Sequence, residues 1–141
     1  MSPAEIKSIV TQITEDSDNG RLDAVYRHMA DGYVFHRAPY PDQVGIEANR
    51  QGDAALARAF TNAHTTIQEI VVEGDTAAMR YTWQAVHAGT SPLSGIPATG
   101  KTVTVSGCMI FHWQEDKLIE QWDFSDGLGL MQQLGIVPAR G

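Results

Sequence analysis

His112 and Asp126 bracket a single predicted hairpin, and they are of the two side-chain types that most often carry protons near neutral pH. A carboxylate can take a proton from an activated carbon. An imidazole beside it can donate a hydrogen bond to the oxygen where charge then collects. No HExxH, HxH or paired-cysteine pattern accompanies them, so the three histidines His36, His87 and His112 do not read as a metal site, and no cofactor motif is present. The chemistry within reach of such a pair is acid–base catalysis without metal or cofactor.

The elements that must position the pair follow from periodicity. Residues 103–113 form a β-type run ending beside His112, Glu115-Asp116 turns the chain, and 117–124 returns as a second strand. Asp126 then precedes a short helix over 127–134. Upstream, Ser2-Pro3-Ala4-Glu5 has capping-box spacing, and Ile6, Ile9, Val10 and Ile13 recur on one face, which predicts a helix over 3–18. Asn19-Gly20 stops it, and 21–29 reads as a second helix. Residues 33–36 make a brief strand. Pro39 and Pro41 then force a loop along the surface or over a mouth.

A third helix is expected over 46–62, interrupted by Gly52 at roughly 1 kcal/mol relative to alanine. Strands follow at 66–73 and 76–88, with Gly74-Asp75 as their turn, and 89–100 is the longest loop. The order α-α-β-α-β-β-β-β-α predicts one α+β domain over residues 1–141, a curved, mostly antiparallel sheet wrapped on helices with a hollow between the layers.

Composition sets the surroundings. With 141 residues, 43% of them hydrophobic, the chain can bury one real core. Ten basic against seventeen acidic side chains give a net charge of −7, which speaks against nucleic acid or an anionic membrane as partner. The absence of a signal-like or membrane-length apolar run leads to an expectation of a cytoplasmic protein. Cys108 is the sole cysteine and reads as a small buried strand residue.

The stretches Gly74-Asp75-Thr76, His87-Ala88-Gly89, Gly95-Ile96-Pro97-Ala98-Thr99-Gly100-Lys101, Lys117-Leu118-Ile119-Glu120-Gln121-Trp122 and the terminal Gln132-Gln133-Leu134-Gly135 resemble the SnoaL-like polyketide cyclase family. The likeness runs from the Asn19-Gly20 helix stop onward. It implies the cone-shaped α+β barrel of ketosteroid isomerase, scytalone dehydratase and nuclear transport factor two. It also implies closure of the last ring of an aromatic polyketide by intramolecular aldol condensation, without metal or cofactor, with an aspartate at Asp126 as acid/base and a histidine at His112 beside it. His112, where many uncharacterised relatives carry arginine, points toward the catalytic members. Ala98 in place of a common proline, and a long segment between His87 and Gly95, are departures that bear on the rim of the pocket.

Each candidate also has a plainer role. Asp126, directly before a helix, has the position of an N-cap, whose backbone N–H bonds would make it a poor base; the resemblance turns the reading to catalysis, with Asp123 in reserve. His112 shares a strand face with Ile110 and Cys108, opposite Met109, Phe111 and Trp113. His36 and His87 end strands near loops and are candidate substrate contacts. Arg80, mid-strand, calls for an acidic partner such as Asp123 or Glu120. Tyr33 and Trp83 could line a cavity for flat rings.

The expected function is therefore ring closure of a small hydrophobic, aromatic substrate by a homodimer or homotetramer. The alternatives are isomerisation, dehydration or epoxide opening on the same fold, the last through an Asp126, Arg80 and Asp123 set resembling limonene-epoxide hydrolase, or a non-catalytic ligand-binding module.

Overall fold

The computed structural model describes residues 1–92 and 94–139. Ser2 Oγ accepts the Glu5 N–H at 3.2 Å and starts α1 (Pro3–Asp18), whose Ile6, Val10 and Ile13 are buried on one face. Gly20, at φ +72°, ends that helix in a conformation open to glycine. The second helix, α2 (Leu22–Tyr26), is shorter than the sequence predicts because the chain is already extended at Met29, where it pairs with Leu118. Next come β1 (Met29–His36) and an unpredicted two-residue strand, β2 (Gln43–Val44), that pairs with β1.

Helix α3 (Ile46–Ala59) is continuous through Gly52. A Cβ there would collide with the Gln43 side chain, so the glycine lets the helix settle onto β2. The helix ends at Ala59 rather than Asn62 because Phe60 turns to φ −126°, ψ 113° and pairs with His87. The strands β3 (Phe60–Glu73), β4 (Thr76–His87), β5 (Thr102–Gln114) and β6 (Lys117–Ser125) form the predicted meander, followed by α4 (Gly127–Gln133). Glu115, at φ 55°, lies in the turn between β5 and β6.

These strands make one six-stranded sheet in the order β2-β1-β6-β5-β4-β3. Every pairing is antiparallel except β1 with β6, and the sheet is curved and unclosed rather than a complete barrel. Register irregularities in β3 and β5 accompany the bending. The inner face carries Ala77, Met79, Phe111 and Trp113 against Ile6, Val10 and Ile13 of α1, and this is the main core. Burying each large side chain of that set contributes roughly 1.5–3 kcal/mol. Toward the other end of the sheet, the helices and the concave face stand apart.

Candidate active site

Between α2, α3, α4 and the concave face lies a cavity of about 880 Å³. That is within the size range of small-molecule sites, and its walls are mostly apolar. Met29, Phe35, Trp83, Met109, Leu130 and Met131 supply flat and flexible surface. Arg37, Ala38, Pro39 and Tyr40 also line it, so the proline loop borders the cavity, one of the two courses the sequence allowed.

The sheet wall carries a carboxylate. Alternation along β6 turns Gln121 and Asp123 inward and Trp122 and Phe124 outward, leaving Asp123 only 5% exposed. Arg37 Nε donates to Asp123 Oδ2 at 3.1 Å, and the Tyr81 hydroxyl donates to Oδ1 at 2.6 Å. Burial, and then the nearby Asp123 charge, push the Tyr81 phenol well above its ordinary range, so it remains a donor. A carboxylate has about four acceptor positions, and these two bonds leave room for a further proton. Beside it, the Tyr33 hydroxyl donates to Gln121 Oε1 at 2.7 Å, and burial likewise holds that phenol protonated.

The helical wall carries a second carboxyl group. Asp53 of α3 lines the cavity and accepts a hydrogen bond from the Tyr26 hydroxyl of α2. Its pKa is raised because burial disfavours the charge more than the Tyr26 bond and the more distant Arg37 favour it. Arg37 thus lies near both acids while bonding to Asp123. Sequence reasoning missed Asp53, Tyr26 and Arg37, and placed Tyr81 only among the aromatic residues that could line a cavity. The signals were nevertheless present: Asn49, Asp53, Leu56 and Phe60 follow helical spacing into the hollow, and Tyr33, Phe35 and Arg37 follow strand alternation.

Among the residues singled out from sequence, Tyr33, Trp83 and Asp123 line the cavity, and Trp83 meets Phe60 edge-on at 5.3 Å. The expected pairing of Asp126 with His112 does not occur. Asp126 is exposed and caps α4, its Oδ1 accepting the Gly129 N–H at 2.8 Å. His112 is exposed on the outer face because its neighbours Phe111 and Trp113 take the core side. The tight turn pairs His112 with Glu120, whereas the Asp126 N–H bonds to Ser106. From Ser106 to His112 the strand runs roughly 20 Å, at about 3.4 Å per residue.

Arg80 is also on the outer face, between inward Met79 and Tyr81, and its ion pair is with Glu69 at 2.8 Å rather than with Asp123 or Glu120. This removes the epoxide arrangement built on Arg80. His36 is likewise outside the cavity, with Nδ1 at 2.8 Å from Asp42, Nε2 at 2.6 Å from Glu120, and its ring stacked on Trp122. Burial lowers its pKa, but the bonds to the two carboxylates outweigh that and raise it.

His87 is completely buried and anchors the long loop, its Nδ1 accepting the Thr99 N–H at 3.3 Å. Its Nε2 has no hydrogen-bond partner among the described residues. Cys108 is half-buried on the outer face rather than fully buried. No group of three or more His, Cys, Asp or Glu among the described residues is arranged to hold a metal ion, and no described helix is long and apolar enough to cross a membrane.

The fold and the chemistry of its hollow can be set beside known proteins. TsrD from Streptomyces laurentii is similar in structure, with a TM-score of 0.85 and 26% identity over 97% of this chain and 99% of that one. A protein from Jannaschia sp. CCS1, described as a SnoaL-like polyketide cyclase, superposes with a TM-score of 0.87 at 21% identity over 96% of this chain and 95% of its own. AclR from Streptomyces galilaeus, described as a hydroxylase, gives a TM-score of 0.85 at 21% identity over 99% and 87%. No protein of curated function matches the chain in sequence. The family model for SnoaL-like polyketide cyclases matches residues 8–134, and the chain belongs to that family.

Proposed function

We propose that this protein closes a ring on an aromatic, polyketide-like substrate by proton transfer, with Asp123 as the acid/base. The observation that carries the reading is a buried carboxylate on the wall of an apolar cavity of about 880 Å³, held by Arg37 and Tyr81. Asp123 removes a proton from a carbon flanked by carbonyls, and the C–H electron pair becomes the enolate. The enolate carbon attacks a second carbonyl of the same molecule, and Asp123 returns its proton to the alkoxide that forms. The reaction is an isomerisation, balanced without any other reactant. Tyr33, Trp83 and Phe35 hold the flat rings, and proximity of the two carbon centres supplies much of the rate.

The cavity and its two inward carboxyl groups favour this reading over a non-catalytic binding module. The test is turnover of an anthraquinone carrying an unclosed 1,3-dicarbonyl chain. Asp123→Asn should reduce kcat by about 10²–10⁴-fold and change affinity little. Full activity in that variant, or no turnover by the wild type, would end the assignment.

Epoxide opening is a second reading, because Arg37 rather than Arg80 stands near two carboxyl groups, Asp53 and Asp123. Hydration of a cyclic alkene epoxide by the wild type, in the absence of ring closure, would select it. Under either reading the protein acts in the cytoplasm as a homodimer or homotetramer through the outer sheet face. Val71, Ala78, Ile110 and Trp122 lie in register there, and Phe124 is 55% exposed. Light scattering on Phe124→Glu should report smaller particles than the wild type.

A further inference from the structure

The cavity has a polar group on each wall, and the reaction derived above uses only the one on the sheet. Asp53 and Tyr26 come from α3 and α2, elements with no part in holding Asp123. Their placement is well braced. Asn49, one turn before Asp53, bonds through Nδ2 to the Gln43 carbonyl at 3.0 Å and the Gly45 carbonyl at 2.7 Å, and Gly52 lets the helix rest on Gln43. The guanidinium of Arg50 covers the Tyr26 ring at 5.0 Å and bonds to Asp23 at 2.9 Å.

The two oxygens of Asp53 are unlike. Oδ2 accepts the Tyr26 hydroxyl, while Oδ1 has no hydrogen-bond partner among the described residues. A carboxyl group with one oxygen occupied as an acceptor is arranged to carry its proton on the other. Arg37, whose charge reaches it, gives its hydrogen bond to Asp123 instead. Burial raises its pKa by disfavouring the charged form, against the smaller opposing effects of the Tyr26 bond and the Arg37 charge.

We propose that Asp53, seated by Tyr26, is the hydrogen-bond acid of the cavity, donating from Oδ1 to the substrate carbonyl oxygen that becomes the enolate. The inference rests on the reading of Asp123 as the base and assigns the opposite half of the same step. As Asp123 takes the proton from carbon, negative charge moves to an oxygen that already receives the Asp53 hydrogen. When the enolate carbon forms its new bond that oxygen becomes a carbonyl again, and Asp53 keeps its proton. Tyr26 is a positioning residue here, acting through Asp53. A donor waiting where charge develops acts mainly on the transition state, so it raises kcat more than affinity.

The probe is 2-acetylnaphthalene labelled with ¹³C at the carbonyl, whose resonance moves downfield when the oxygen accepts a hydrogen bond. Wild type should bind it and move the signal downfield. The displacement should vanish in Asp53→Ala and shrink in Asp53→Asn, whose amide is a weaker donor. It should persist in Asp123→Asn. Raising the pH through the Asp53 titration should erase it in the wild type but not in Asp53→Asn. With the dicarbonyl substrate, Asp53→Ala should lose about 10²-fold in kcat, and Tyr26→Phe should lose less.

A downfield signal that is unchanged in Asp53→Ala and independent of pH would overturn the role of Asp53 and leave Asp123 as base. Failure of the wild type to bind the probe would overturn both readings. Loss of turnover in Asp123→Asn without change in the probe signal would support both.

Discussion

Tyr81 of β4 reaches Asp123 of β6 across the intervening strand, its hydroxyl 2.6 Å from Oδ1, by passing over Gly107, its own partner in β5, while Asp123 pairs with Met109. A Cβ at Gly107 would lie 2.6 Å from the Tyr81 hydroxyl oxygen and 2.8 Å from the Phe124 carbonyl. The glycine therefore opens the passage through which a phenol two strands away orients the buried carboxylate. Gly107→Ala should displace Tyr81, cost about 1–3 kcal/mol in a urea melt and lower turnover. Tyr81→Phe, which removes only the hydroxyl, should cost about 1 kcal/mol and lower turnover without changing the cavity volume.

Asp126 tests the other acid. As the cap of α4, its replacement by alanine should cost about 1 kcal/mol of stability. Affinity for a planar ligand and kcat should both stay within about twofold of wild type, the scale of a few tenths of a kcal/mol. Abolished turnover in a folded Asp126→Ala protein would restore the role first read from sequence.

His36 couples pH to the loop at the cavity. Only the imidazolium can donate to Asp42 and Glu120 together, since a neutral ring has one N–H. Its folded pKa lies above the ordinary value of 6.5, so its stabilising contribution is complete below that value and is lost as pH rises through the folded one. The groups facing it are Asp42, Glu120 and the Trp122 ring, with His112 on the far side of that ring at 6.4 Å. Exchange of the Tyr40 amide, which bonds to the Arg37 carbonyl at 2.9 Å, should accelerate as pH rises above 6.5 beyond its intrinsic dependence. In His36→Phe that extra acceleration should be absent.

Asp53 has the opposite sign from an ordinary ion-paired carboxylate. Its pKa is raised above 3.8 on folding, so it favours the folded state fully below that value and progressively less as pH rises through the folded pKa. Asp53→Asn should therefore match the wild type in a thermal melt near about pH 3.5 and gain on it toward neutrality. A constant difference across that range would show that the carboxyl titrates as it does in the unfolded chain.

Much of the fold was legible because its signals are local. Ser2 and Glu5 mark the start of α1, Gly74-Asp75 and Glu115-Asp116 mark the turns, and the terminal Gln132-Gln133-Leu134-Gly135 lies at the end of α4. What was missed depends on partners distant in sequence. The two-residue β2 exists only because β1 lies beside it, and β3 starts early because Phe60 finds His87.

The sequence by itself determined which residues share a strand face, and hence that Asp123 sides with Gln121, and His112 with Ile110. It could not say which of those faces is concave. That choice is made by the whole sheet, which turns Phe111, Trp113 and Met79 toward α1 and carries Asp123 inward with them while His112 and Arg80 go out. The tertiary structure alone brought Arg37, Tyr81 and Asp53 from three separate elements to one cavity, because charge pairing and burial act through space rather than along the chain.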